Sequence, residues 1–142
     1  MTPIDPENPV VKLCAQGMEA EGQGRQDDAR LAFGQAWDIS LDDFEACIAA
    51  HYLARHQPSD EETAHWNREA LVRADAVADD RVDGLYPSLL LNMGHSCETL
   101  GQKLEARRYY KAAEQHMGSL PASPYTELVR RGILQGIQRT AG

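Results

Sequence analysis

The chain has 142 residues, 42% hydrophobic and 25% charged, with 14 basic against 22 acidic side chains and a net charge of −8. That composition belongs to one globular domain or a short array of repeats, large enough to bury a core without a disulfide or metal. The acidic balance argues against a general nucleic-acid binder, and no apolar run approaches the roughly 18 residues of a membrane span.

The N-terminal stretch MTPIDPENPV is acidic and proline-rich, with no basic or apolar region of a secretory signal, so a cytoplasmic location is expected. From Leu13 onward a spacing emerges: Gly17, Gly24, Ala29, Phe33 and Ala36 follow one another at intervals of 7, 5, 4 and 3 residues. The same intervals recur from Leu90 through Gly94, Gly101, Ala106, Tyr110 and Ala113, 77 residues later. Five small or aromatic positions matched at identical spacing mark an internal repeat. A glycine inside a helix costs about 1 kcal/mol against alanine, so Gly17 and Gly94 imply a close crossing of two helices. Ala29 and Ala106 are expected on the facing helix, with Phe33 and Tyr110 filling the wedge beyond. Gly24 and Gly101 fall between apolar runs, where a left-handed residue ends one helix before the next.

The middle of the chain is a degenerate repeat. FEACIAAHYLAR is apolar on nearly all sides, as a helix sandwiched between neighbours should be. Pro58 closes it, and Ser59 with Glu62 forms a capping box for the next helix. Two registers fit this hairpin: one passes through His51, Thr63, Asn67 and Ala70, the other through Tyr52, Ala64, Arg68 and Leu71. The nine residues in excess of two 34-residue periods fall around 78–86. In the tail, Leu128 and Gly132 repeat the Leu13/Gly17 spacing, and Ser123-Pro124 is a helix start. The expectation is an all-α fold of seven helices without strands.

This pattern resembles the tetratricopeptide repeat (TPR), a helix–turn–helix unit of about 34 residues. The resemblance implies a single domain over 1–142. It comprises a repeat at 10–43, a degenerate repeat at 44–77, an insertion at 78–86, a repeat at 87–120 and a capping helix at 124–139. The chain departs from the family at Gln16, Met93, Ala20 and Cys97. By resemblance the hairpins stack into a superhelix, and the first helix of each lines a concave groove. That assigns Val11, Cys14, Met18 and Glu21 in one repeat, and Ser88, Leu91, His95 and Glu98 in another, with Asn92 at a further clamp position. The lysine and asparagine that grip a peptide carboxylate in chaperone-binding members are replaced here by Cys14 and Met18. An apolar or basic protein segment is therefore the expected occupant.

Chemistry-bearing motifs are scarce. Cys14, Cys47 and Cys97 lie far apart without a C-x-x-C pair, which is neither a disulfide framework nor a zinc site. Gly22-Gln23-Gly24 reads as an inter-helix turn, and no phosphate loop, H-E-x-x-H motif or nucleophile elbow occurs. His51 and His56 are five residues apart and diverge around a helix, whereas shared metal ligation favours a spacing of four. An alternative surface comprises His51, Arg55, Trp66 and Asn67; Trp66 is either an exposed recognition residue or an inter-helix packing residue. Charge is uneven, with net −11 over residues 1–86 and +3 over 87–142. The resulting expectation is a non-catalytic adaptor without cofactor or metal. The alternatives are a self-associating assembly module and, third, a histidine-based enzyme or metal protein.

Overall fold

The computed structural model describes residues 4–142, apart from the Ser119 side chain; residues 1–3 of the N-terminal stretch lie outside the described part. Among the described residues seven α-helices follow in order: α1 Pro9–Gly22, α2 Gln26–Ile39, α3 Asp43–Leu53, α4 Asp60–Ala76, α5 Tyr86–Thr99, α6 Lys103–Gln115 and α7 Pro124–Thr140. Short 3-10 turns occupy Ala54–His56, Asp80–Val82 and Met117–Ser119, and no strand occurs among the described residues. None of these helices is long and apolar enough to cross a membrane.

The helix boundaries follow local chemistry. Asn8 accepts from the amides of Val10 and Val11, with Pro9 at the first helical position. Asp42 caps α3 at the Glu45 amide (2.8 Å), Ser59 caps α4 at the Glu62 amide (3.1 Å), and Ser123 caps α7 at the Thr126 amide (3.1 Å). Gly24 and Gly101 close the α1–α2 and α5–α6 turns with φ of 75° and 80°, the left-handed backbone that their sequence position implies.

The chain divides into two compact units, Met1–Arg81 and Val82–Gly142, with the break inside the expected insertion at 78–86. In the first unit α1 packs on α2, and α3 packs against α1, α2 and α4. This explains the apolar character of α3: Phe44, Ala46, Cys47, Ile48, Ala49, Ala50 and Leu53 are all buried. In the second unit α5 and α6 form a hairpin, and α7 lies on both. Leu89, Met93, Tyr110 and Ile133 are enclosed there.

The repeat glycines make room for rings. A Cβ on Gly17 would come within 2.7 Å of Phe33, and one on Gly94 within 2.5 Å of Tyr110. The sequence suggested that Ala29 and Ala106 face the glycines while the aromatics fill a wedge beyond. Instead the aromatic ring itself occupies the space over each glycine. The α4 helix also settles its register unexpectedly. Its buried stripe is Ala64, Asn67, Ala70 and Ala74, which takes one position from one predicted register and two from the other.

Candidate functional site

On α1 the four groove positions have different fates. Cys14 is 3% exposed and belongs to the core, where burial pushes its thiol up to about 12. Val11 is half-buried, whereas Met18 is 45% exposed, an unbranched apolar side chain open to solvent. Glu21, at the end of the helix, is occupied. Its carboxylate accepts from Arg55 Nη1 at 2.8 Å and lies 2.7 Å from His56 Nε2.

The second unit repeats the pattern. Ser88 and Leu91, expected to line a groove, are buried. The reason is α7: Ser88 hydrogen-bonds to the Tyr125 hydroxyl, and Leu91 abuts the α7 backbone at Gly132. Asn92 is half-buried, and His95, at the position equivalent to Met18, is exposed with its ring 5.7 Å from Tyr110. Partial burial and the nearby Arg139 charge lower the His95 pKa. Glu98 accepts from Arg139 at 2.9 and 3.1 Å and from the Tyr110 hydroxyl at 2.6 Å. The Arg139 bonds hold the Glu98 carboxyl below its usual pKa, while burial and the Glu98 bond raise the Tyr110 hydroxyl.

The two predicted surfaces therefore meet in the first unit, because Glu21 of one is bound to Arg55 of the other. Arg55 also lies 4.7 Å over the Tyr52 ring, and Tyr52 stacks on Phe33 at 5.2 Å. His51 is enclosed at Nδ1 without a hydrogen-bond partner, and burial, assisted by Arg55, lowers its pKa to about 4. Asn67 departs from the surface reading, since it is 6% exposed on the packed face of α4. Trp66 is half-buried, edge-on to Trp37 at 4.9 Å and to His65 at 5.2 Å. That is the inter-helix packing arrangement. Among the described residues no three His, Cys, Asp or Glu side chains are grouped as metal ligands.

Sequence reasoning missed the arginine partners of Glu21 and Glu98. Arg55 follows its glutamate by 34 residues, but Arg139 follows its own by 41. The two glutamates are in perfect repeat register; the arginines are offset by the longer connection before α7, so a fixed period does not find them.

No protein-family profile, curated protein or solved structure matches this chain.

Proposed function

We propose that the chain is a non-catalytic, TPR-type adaptor that holds an apolar segment of a partner protein against the first helix of its hairpins. The supporting observation is Met18, a large apolar side chain exposed on α1, with His95 exposed at the equivalent position of the other unit. A flexible thioether adapts to irregular apolar ligands. The acidic residues add less than their charge suggests, because Glu21 and Glu98 are each paired with an arginine. This pairing favours an apolar occupant over a basic one.

Affinity capture from native lysate tests the reading with the full chain and two variants. Met18→Asp, at an exposed site, is expected to lose the captured protein while keeping helicity and melting temperature. Trp66→Ala is expected to keep it. The opposite outcome would move recognition to the middle hairpin.

A further inference from the structure

The second unit contains a helix that lacks the neighbour its counterpart has. Arg55 of α3 binds Glu21, and Arg139 of α7 binds Glu98, the residue 77 positions after Glu21. Tyr52 of α3 stacks on Phe33, and Gly136 of α7 lies against Tyr110. Both pairs give one offset: Arg139 follows Arg55 by 84 residues, and Gly136 follows Tyr52 by 84. Hence α7 occupies in the second unit the place of α3 in the first.

In the first unit α4 covers α3. Arg73 of α4 donates to Asp43 at 3.1 Å, Asp75 acts electrostatically on Cys47, and Ala46, Cys47 and Ala50 are buried. The same offset carries Asp43, Ala46, Cys47 and Ala50 to Glu127, Arg130, Arg131 and Leu134. These residues line an open furrow of about 490 Å³ along α7. Leu134 is 47% exposed and Leu128, the counterpart of buried Phe44, is 64% exposed. Among the described residues of the second unit, α7 packs on α5 and α6, and that unit has no further α-helix to stand on it as α4 stands on α3.

We propose that this face of α7 is a docking site for an acidic amphipathic helix of a partner protein, which completes a hairpin with α7 as α4 does with α3. Charge selects the occupant. Arg130 and Arg131 lie beside the leucines, Arg130 3.5 Å from Glu127, and neighbouring α6, whose Arg107 donates to the Ile137 carbonyl, adds Lys111 and Arg108, the latter paired with Glu105 at 2.7 Å, so that cations still outnumber carboxylates along this face. The template is acidic as a whole, with Asp60, Glu61, Glu62, Glu69 and Asp75 against Arg68 and Arg73; by the same offset the place of Asp75, which acts on Cys47, faces Arg131, and that of Arg73, which binds Asp43, faces Glu127. A second copy pairing α7 with α7 would bring four of these arginines together, which disfavours it. The surface is built from α7 and α6 and Met18 belongs to α1, so different residues carry the two proposals and each is tested by its own variants.

The probe is a fluorescein-labelled peptide of residues 60–76, whose pattern fits the equivalent face, titrated with the full-length protein by fluorescence anisotropy. Saturable binding is expected, weakened by added salt and absent for a peptide with its five acidic residues replaced by lysine. Arg131→Glu with Leu134→Asp should weaken binding about tenfold or more, as should Leu128→Asp alone if the double variant melts early. Met18→Asp should bind normally. Absence of saturable binding, undiminished binding by the α7 variants, or loss in Met18→Asp alone would overturn the proposal. So would sedimentation showing a wild-type dimer that the α7 variants dissociate, since the occupant would then be a second copy.

Discussion

The ring of Tyr110 fills the space that a side chain on Gly94 would need, 2.5 Å from where its Cβ would stand. Gly136 bounds the same ring from α7, at 2.6 Å from its own notional Cβ, and the hydroxyl is tied to Glu98 at 2.6 Å. The ring is fully buried and held on three sides, so it has nowhere to yield. Gly94→Ala should therefore destabilise by roughly 1–3 kcal/mol, exceeding the ~1 kcal/mol helix-propensity gain. Gly34→Ala is the control: it lies within α2 with nothing within 4 Å of a Cβ, and should stabilise by about 1 kcal/mol. Urea denaturation of both variants measures the pair, and an unperturbed Gly94→Ala would mean that Tyr110 can move aside.

Leu91 should behave as a core residue. It is 9% exposed and sits 3.2 Å from where a Gly132 Cβ would lie. Leu91→Ala is expected to cost about 2–5 kcal/mol, read as a lowered denaturation midpoint. A cost below about 0.5 kcal/mol, typical of surface sites, would reopen its assignment to a binding surface.

The cysteines should be inert in the folded protein. Cys14, Cys47 and Cys97 are buried, and burial raises the first two thiols to about 12, with Asp75 contributing at Cys47. Thiolate is the reactive form, so alkylation by iodoacetamide at neutral pH should be slow in native protein and complete after unfolding. Rapid native labelling of Cys14 or Cys47 would contradict their enclosure.

Acid should weaken the fold through His51. Its pKa is about 4 in the folded protein against an ordinary value of 6.5, so below pH 6.5 the unfolded chain takes up a proton that the native ring refuses. Stability from this group is complete above about 6.5 and declines toward pH 4, with a slope approaching about 1.4 kcal/mol per pH unit. His95, also lowered, adds in the same direction. Urea midpoints at pH 7 and 5 should converge in His51→Gln relative to the parent; an unchanged difference would show that His51 is free to ionise.

The Glu21–Arg55 and Glu98–Arg139 pairs look prominent but should contribute little to stability. Their arginine side chains are 45% and 46% exposed, and partly solvated pairs contribute about 0–1 kcal/mol. A double-mutant cycle with Glu21→Gln and Arg55→Met should give a coupling in that range, reduced by salt. A larger, salt-insensitive value would imply a desolvated pair.

Much of the architecture was written into local sequence. The caps Ser59 and Ser123, the left-handed Gly24 and Gly101, and the 77-residue recurrence of Leu13–Ala36 at Leu90–Ala113 together mark out the helices of the described residues. Each is a short-range property, a cap within one turn or a residue whose backbone freedom the turn requires, and so can be read without a neighbour. Tertiary packing decided what those helices present. Cys14, Ser88 and Leu91, placed in a groove by resemblance, and Asn67, a polar side chain, lie buried because other helices pack over them. Glu21 and Glu98 found arginines at unequal separations of 34 and 41 residues. The exposure of Leu128 and Leu134 is equally invisible in one dimension, since an apolar side chain on a helix reads the same whether or not a neighbour covers it. Which apolar stripe is covered depends on whether another helix lies across it, and that is a relation between elements distant along the chain.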